Sequence, residues 1–394
     1  MRILIIRNFP SYMDVENNTY NIQEVGLAKA LVRKGHICDI IFWTDKEEKD
    51  VVLSVDNKWS VHVFYRKGKT KLKNTIYRNC EELFENYDIL QPCEYNQIQS
   101  WILAKKYPKK TIIYHGPYYS EFNKRYNVMC KVFDMFFLKL YKKNSTKFLV
   151  KSKLAYKFLK FKGINQDNIC ITGVGIDSQM LTNKNEICKE YLYEQIKKES
   201  DELKILYIGR FENRRNIFFI LKTFKEICNK NSKAKLYMIG SGDKEYINNV
   251  WKLAKELGIF NKIVWQEKME QKYMSKIYKY ADFFILPTRY EIFGMVLLEA
   301  MFYENIVLTT VNGGSSTLIE NGENGIVIDN FDSNYWAEKM LNIYNEKEKM
   351  NRIKKNATEM IKMHYTWDIL ASVFESQYRK IYDKVNLCKN GDYK

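Results

Sequence analysis

The sequence predicts an α/β protein made of two doubly wound, Rossmann-like domains with an interdomain cleft. The chain has 394 residues, more than one hydrophobic core usually serves. Short apolar runs alternate with helical patterns, which favours parallel sheets covered by helices. This alternation stops in a polar, charged stretch at residues 178–202 and then restarts, so the stretch is predicted to link two units. Folds of this kind bind ligands at the carboxyl ends of their strands.

The first unit begins with the apolar run "ILII" at residues 3–6, which predicts a first β-strand. The run is too short for the apolar core of a signal peptide. Residues 22–31 carry an apolar helical face that ends before Gly35. Further strands are predicted at residues 37–43, 87–91, 111–116, 147–150 and 168–177.

The second unit repeats the alternation of strands and helices. Helices are predicted over residues 218–228 and 246–257, and the lysine-rich tail at 336–382 is predicted to be helical, with an interruption near "HYTW". The predicted strands cover residues 203–210, 234–242, 262–266, 281–287, 305–310 and 325–329. The order of these elements indicates a second parallel sheet.

Hydropathy and cysteine spacing exclude several classes of protein. No apolar run approaches the roughly 18 residues that a membrane-spanning helix needs. The eight cysteines are scattered and form no C-x-x-C pair, which indicates neither a disulfide framework nor a zinc site. We therefore expect a cytoplasmic protein.

The net charge of +17 is concentrated in the first half of the chain. Residues 1–176 carry +13 and the remainder carries +4. A basic first domain suits an anionic membrane surface, a phosphorylated lipid or nucleic acid. Alternatively, the charge reflects a composition rich in Lys, Asn, Ile and Tyr throughout. Within residues 123–147, basic and apolar side chains are mixed, which fits either a membrane-surface helix or a core helix with a solvated lysine face.

The stretch "RYEIFGMVLLEAM" at residues 289–301 lies where a predicted strand gives way to a helix. Free amide groups at such a helix start attract phosphate or hydroxyl groups, and Gly294 lets a ligand approach the backbone. Glu291 precedes this helix start, and Glu299 is predicted to point back towards it. Two carboxylates could therefore hold a sugar and a ribose joined by a diphosphate. The ordinary alternative is that acids favour helix starts and that a lone helical Glu is solvated.

Other strand ends carry compatible residues. Arg210 and Arg215 follow a strand, and guanidinium groups bind phosphate oxygens in a forked geometry. Gly240 lies in another strand-to-glycine turn, although such a turn is often only a turn. His115 ends a strand of the first unit, where a lone histidine is commonly a packing or surface residue.

Together these residues resemble the family 4 glycosyltransferases, which have the GT-B fold. The resemblance is carried by the E-x7-E pattern in "EIFGMVLLE", by "NGGSSTLIENGENGIVI" after it, and by "LAKALVRKGH" and "GVGID" in the first half. It implies an acceptor-binding domain at residues 1–177, a nucleotide-sugar-binding domain at 203–365, and a segment at 366–394 that packs back on the first domain.

The resemblance also implies a reaction and a set of roles. The reaction is transfer of a sugar from a UDP- or GDP-type donor to a glycan or lipid-linked acceptor, with retention of configuration and without a metal or other cofactor. Arg215 stands where the family usually has Lys, and Lys268 lies near the expected base pocket. The implied catalytic residues are His115, Arg210, Arg215 and Glu291, and the implied donor-binding residues are Gly116, Gly209, Gly240, Lys268, Phe293, Gly294, Met295, Val296 and Glu299.

One departure from the family keeps other functions open. The family commonly has a Gly-Gly loop after its first strand, where this chain has Asn18 and Thr19. A non-catalytic scaffold that binds sugar or nucleotide, or a nucleotide-sugar epimerase of the same fold, are the alternatives. Nucleic-acid binding has only the charge in its favour and is not expected. The expected location is the cytoplasm, and this expectation includes a peripheral position at the inner face of the membrane.

Overall fold

The computed structural model describes residues 1–17, 22–56, 58–181, 187–198 and 202–389. The chain divides into two compact units. The first unit comprises Met1–Asp177 together with the C-terminal segment from Thr366, and the second comprises Ser178–Tyr365.

The described residues form sixteen strands. In chain order these are β1 (Arg2–Ile6), β2 (Ile37–Trp43), β3 (Lys49–Ser54), β4 (Ser60–Arg66), β5 (Gly68–Lys71), β6 (Asn74–Tyr77), β7 (Ile89–Pro92), β8 (Ile112–His115), β9 (Lys147–Val150), β10 (Ile169–Ile171), β11 (Lys204–Ile208), β12 (Lys235–Ile239), β13 (Ile263–Gln266), β14 (Phe283–Leu286), β15 (Ile306–Thr309) and β16 (Ile326–Val327).

The described residues also form fifteen α-helices. These are α1 (Gln23–Arg33), α2 (Glu81–Glu85), α3 (Ile98–Lys106), α4 (Lys124–Lys143), α5 (Lys153–Phe161), α6 (Ser178–Leu181), α7 (Tyr191–Lys198), α8 (Ile217–Lys230), α9 (Lys244–Glu256), α10 (Gln271–Tyr278), α11 (Met295–Phe302), α12 (Ser315–Leu318), α13 (Ser333–Asn345), α14 (Lys347–His364) and α15 (Trp367–Lys389).

The first unit contains a sheet with the order β3-β4-β2-β1-β7, and a second sheet with the order β8-β9-β10. Isolated bridges from Leu90 to Thr111 and from Cys93 to Tyr114 join β7 to the β8 side. All paired neighbours in these two sheets are parallel except β3 with β4. The central strand β1 is buried from Ile3 to Ile6, as expected for a parallel strand covered on both faces.

The C-terminal helix α15 lies against α1 within the first unit. Arg33 donates two hydrogen bonds to Asp368, and Glu375 lies 3.2 Å from Lys34 Nζ. Tyr378 is fully buried and donates a hydrogen bond to Gln91. The last helix is therefore part of the hydrophobic core of the first unit, although it follows the second unit in sequence.

The second unit is built on one parallel sheet of six strands with the order β13-β12-β11-β14-β15-β16. The chain runs outwards from β11 to β13, then returns to the other side of β11 with β14. Ligands of doubly wound folds bind at this reversal, outside the carboxyl ends of the strands. The loops that follow β11 and β14 are therefore adjacent at the place where a ligand is expected.

The α/β fold class with two parallel-sheet units is confirmed. Strands β3 to β6 were not expected from the sequence, because β3 is a half-exposed edge strand and β5 and β6 form a short separate hairpin. Residues 178–202, which were predicted as a linker, include α6 and α7, and α7 buries Leu192 and Ile196.

Candidate active site

The candidate site lies in the second unit, where the loops after β11 and β14 meet. The hydroxyl of Thr288 donates a hydrogen bond to the carbonyl of Arg214 at 3.1 Å, and the amide of Arg289 donates to the same carbonyl at 2.9 Å. These bonds fix the arginine-bearing loop after β11 against the start of the glutamate-bearing loop after β14. The site is thus set by hydrogen bonds to one backbone carbonyl between neighbouring strand ends.

Glu291 is held by two arginines. Its Oε2 atom lies 2.6 Å from Arg215 Nη1 and 3.1 Å from Arg214 Nη1. Arg214 also donates two hydrogen bonds to Glu212. Burial would lower the pKa of Arg214, but the carboxylates of Glu291 and Glu212 raise the pKa above its ordinary value, so the guanidinium stays charged.

The arginines around Glu291 include an orphan donor. Arg214 and Arg215 supply two cations against the carboxylates of Glu212 and Glu291, and the exposed Arg210 lies on the same loop. Among the described residues, the buried Nε of Arg215 finds no hydrogen-bond acceptor. A buried guanidinium donor without a partner is costly. The arrangement therefore suits an anionic ligand with acceptor oxygens.

The loop that carries Glu291 is supported by two glycines after β15. A Cβ atom on Gly313 would lie 1.8 Å from the carbonyl oxygen of Ile292, and one on Gly314 would lie 1.8 Å from that of Phe293. The amide of Gly313 also donates a hydrogen bond to the carbonyl of Glu291. Only glycine permits this backbone-to-backbone contact. Gly313 and Gly314 therefore set the position of the glutamate loop.

Helix α11 begins immediately after this loop. Gly294 caps it with φ of 84°, a left-handed conformation that favours glycine. Phe293 is buried and anchors the turn, whereas Met295 and Val296 in the first turn are half-buried. Backbone amides at the first turn of a helix lack intrahelical acceptors and carry its positive dipole end. The helix start is thus a suitable anion-binding position next to the arginines.

Glu299 lies one turn further along α11 and is buried. Its Oε2 atom accepts a hydrogen bond of 2.8 Å from the hydroxyl of Tyr278, at the end of α10. A carboxylate oxygen has two lone pairs, and the group has two oxygens. The bond from Tyr278 therefore orients the carboxylate of Glu299.

The loops after β11 and β12 pack closely. A Cβ atom on Gly240 would lie 1.8 Å from the carbonyl oxygen of Gly209, so the two loops touch through their backbones. Arg210 follows and is exposed. It borders a hollow of about 450 Å³ that is lined by Arg210, Phe211, Glu212, Asn213, Asp243, Glu245, Tyr246 and Asn249. Lys268, after β13, is also exposed.

The first unit carries the remaining candidates, at the carboxyl ends of β7, β8 and β9. His115 is fully buried, and its Nδ1 atom lies 2.7 Å from Glu94 Oε2. The amide of Gly116 donates to the same oxygen, and Lys151 Nζ lies 3.8 Å from Glu94 Oε1. Since an ionised carboxylate can only accept, Nδ1 of His115 is assigned the proton. Within the described structure the buried Nε2 of His115 has no hydrogen-bond partner.

Replacing Glu94 by Gln is expected to lower the free energy of unfolding at neutral pH by about 1.5–3 kcal/mol, the range for a charged hydrogen bond. Burial would raise the pKa of Glu94, but the hydrogen bond from His115 and the charge of Lys151 bring the pKa below its ordinary value. A group whose pKa is lowered in the folded state stabilises the protein at pH values above the ordinary pKa of that group. This contribution is lost as the pH falls through the lowered pKa.

Urea unfolding at several pH values measures this effect. The difference in stability between wild type and the Glu94→Gln variant should shrink as the pH falls below about 4. Glu85→Gln is the matched control, because Glu85 is exposed. An equal midpoint for wild type and Glu94→Gln at neutral pH would contradict the role of Glu94 in holding His115.

The structure brings some predicted residues together, and the others belong to different elements. Arg215, Glu291 and residues 293–296 meet at one strand-to-helix junction of the second unit, with Gly209 and Arg210 on the adjoining loop. Lys268 follows β13 of the same sheet, and His115 and Gly116 belong to the first unit. Asn18 and Thr19 lie outside the described residues.

Sequence reasoning missed Arg214, Glu94, Gly313 and Gly314. Arg214 stands directly before Arg215 and could have been included by its charge alone. The two glycines stand in the quoted "NGGSS" stretch, but their contacts with residues 292 and 293 are visible only in the fold. The described residues contain no group of three or more His, Cys, Asp or Glu side chains arranged to hold a metal ion.

Comparison with known proteins gives a family match for the second unit. Residues 189–360 match the sequence profile of the family described as "Glycosyl transferases group 1". An uncharacterized glycosyltransferase of Methanocaldococcus jannaschii is 31% identical over 185 residues, which is 46% of this chain and 46% of that protein. The lipopolysaccharide 1,2-N-acetylglucosaminetransferase of Salmonella typhimurium is 29% identical over 208 residues, 50% of this chain and 53% of that protein. The chain thus spans about half the length of these relatives.

Similarity of structure extends over nearly the whole chain. HepE from Anabaena, solved in complex with UDP, superposes with a TM-score of 0.71 and covers 96% of this chain and 100% of its own, at 12% sequence identity. At this identity the likeness establishes the fold. The chain therefore has the GT-B fold, and its second unit matches the group 1 glycosyl transferases over residues 189–360.

Proposed function

We propose that the protein is a retaining, metal-independent glycosyltransferase that moves a sugar from a nucleotide-sugar donor to a glycan or lipid-linked acceptor. The observation that carries the proposal is the pairing of Glu291 with Arg214 and Arg215 beside the start of α11. This pairing lies within the segment that matches the group 1 glycosyl transferases. In this proposal the pairing places a sugar-binding carboxylate beside an anion-binding surface, at the point where the order of the strands reverses.

In the proposed complex the diphosphate of the donor lies at the start of α11. Amide groups of residues 293–296 would bind its oxygens, because they are free of intrahelical partners. Arg210 and Arg215 would neutralise its charge. Glu291 would accept hydrogen bonds from hydroxyls of the donor sugar, and Glu299 from hydroxyls of the ribose.

The chemical step breaks the bond between the anomeric carbon and the diphosphate oxygen. A bond from the acceptor hydroxyl oxygen to the same carbon forms on the same face of the sugar, and the hydroxyl proton passes to the departing phosphate. The leaving group gains negative charge as the bond breaks. Cations fixed beside it stabilise that charge in the transition state, and this electrostatic effect is the main source of rate in the proposal.

The proposed acceptor is a growing glycan of a polysaccharide or glycoconjugate. The relative from Salmonella is named as a lipopolysaccharide transferase, which supports an acceptor of this class. None of the helices in the described part of the chain is long enough and apolar enough to cross a bilayer. We place the protein in the cytoplasm, with access to lipid-linked acceptors at the inner face of the membrane.

Incubation with UDP-, GDP- and ADP-sugars, with and without glycan acceptors, tests the function. We expect nucleotide release that depends on one donor, rises with acceptor and persists in EDTA, with the anomeric configuration retained by NMR. A scaffold protein would bind nucleotide without releasing it from the donor sugar. An epimerase would give a free sugar or an epimer without acceptor, and either result would refute glycosyl transfer.

A further inference from the structure

Helix α4 of the first unit is apolar on two sides. Its inner face is buried and supplies Cys130, Phe133, Leu138 and Tyr141 to the core. A helix that already buries one apolar face in the core normally presents a polar face to solvent. The outer face of α4 instead exposes five large apolar side chains, which are Val128, Met129, Val132, Met135 and Phe136.

The exposed apolar residues form one stripe along α4. Val128, Val132, Met135 and Phe136 recur at intervals of four, three and one residues, so they share a helical face. Met135 is 72% exposed and Phe136 is 65% exposed, so the described structure leaves most of their surface in contact with solvent. A contiguous exposed apolar surface of this kind marks an interaction site.

Positive charge surrounds this stripe. Six cations of α4 are exposed, and they lie on both sides of residues 132–138, which contain none; they are Lys124, Arg125, Lys131, Lys139, Lys142 and Lys143. The one acidic residue of the helix, Asp134, is paired with Lys162 of the neighbouring loop. Its charge is therefore already neutralised within the fold, and the outer face of α4 has a strongly positive potential.

From this combination we propose that the outer face of α4 binds the anionic surface of a lipid bilayer. The cations would attract acidic lipid headgroups, while the stripe from Val128 to Phe136 would enter the boundary between headgroups and acyl chains. A helix of 20 residues is about 30 Å long, and cations towards both of its ends would hold it parallel to the surface. This surface lies on the first unit, and its binding to a bilayer does not require a nucleotide-sugar donor. The proposal rests on the proposed function in one respect only, which is that membrane binding would give access to lipid-linked acceptors.

Co-sedimentation of the full chain with vesicles tests the proposal. Wild type should bind vesicles that contain phosphatidylglycerol at low salt, bind weakly to vesicles of phosphatidylcholine alone, and lose affinity as salt rises. The double variant Lys131→Glu/Lys139→Glu should bind at least about twenty-fold more weakly, since each lysine near an anionic surface contributes about a fivefold factor. Met135→Ser/Phe136→Ser should weaken binding by about tenfold or more through lost apolar area.

The matched control is Lys355→Glu/Met363→Ser, which changes the same residue types at exposed positions on α14. This control should bind vesicles like wild type. As an independent probe, the emission of Phe136→Trp should shift to the blue on addition of phosphatidylglycerol vesicles, whereas that of Met363→Trp should not. All of these substitutions are at exposed positions, so circular dichroism should show an unchanged fold.

Three results would overturn the proposal. The first is absence of binding by wild type at low salt, and the second is equal binding by wild type and both α4 variants. The third is a wild-type dimer in light scattering that the Met135→Ser/Phe136→Ser variant converts to a monomer, which would assign the stripe to a second copy of the chain. Nucleotide release from the donor, measured without vesicles, reports separately on the proposed function.

Discussion

Replacing Arg210 by Ala is expected to lower the turnover number by about 10²–10³-fold, the usual effect of losing one preorganised group that stabilises charge in the transition state. Arg210 follows β11, the first strand of the second unit, and is exposed beside the hollow after that strand. In the described part of the chain its guanidinium makes no hydrogen bond or ion pair. The substitution should therefore leave the fold intact and act on the leaving diphosphate alone.

Arg289→Ala is the matched control for Arg210→Ala. Arg289 is also exposed and also follows a strand of the same sheet, but its guanidinium lies over the ring of Phe331 at 5.8 Å. Its loss should change turnover little. Steady-state rates of nucleotide release with the best donor measure both variants. Equal turnover by wild type and Arg210→Ala, with matching circular dichroism, would remove Arg210 from the proposed mechanism.

Arg215→Ala should have an effect of similar size, with a structural component that Arg210→Ala lacks. Arg215 forms an ion pair with Glu291, so its removal leaves that carboxylate with Arg214 as its nearest cation. Arg215→Lys keeps the charge but cannot reproduce the forked geometry of a guanidinium. The comparison of the two variants separates the contribution of charge from that of geometry.

The parts of the fold that could be predicted are those in which local pattern and burial agree. The apolar strands β11, β12, β14 and β15 are buried along nearly their whole length, so their runs of Ile, Leu and Phe are unambiguous. Strand β3 alternates exposed and half-buried residues at the edge of its sheet, where burial gives little signal. Its existence depends on pairing with β4, which sequence spacing does not reveal.

The candidate site shows the same division between local pattern and tertiary contact. Glu291, Gly294 and Glu299 could be selected because they stand in one short stretch with helix-start chemistry. The pairing of Arg214 with Glu291 joins residues 77 positions apart, and it exists only because β11 and β14 are neighbours in the sheet. The ligand roles assigned to these residues stay predictions until the variants are measured.

Replacing Glu299 by Gln is expected to weaken donor binding by about 1.5–3 kcal/mol, which corresponds to a rise in Kd of about 10- to 150-fold. The variant keeps the size of the side chain but replaces one acceptor oxygen with a donor group and removes the charge. Because Glu299 is buried, its environment gives little room for a second acceptor to replace it.

Tyr278→Phe separates ligand binding by Glu299 from the packing around it. This variant removes the hydroxyl that donates to Glu299 at 2.8 Å but leaves the carboxylate in place. If Glu299 binds the ribose directly, Tyr278→Phe should weaken donor binding much less than Glu299→Gln. If Glu299 serves only to pair with Tyr278, both variants should lose stability in urea while nucleotide affinity, measured by titration calorimetry, stays at the wild-type value. Since the ribose belongs to both donor and product, a direct contact should weaken the binding of the free nucleotide diphosphate by the same factor as that of the donor.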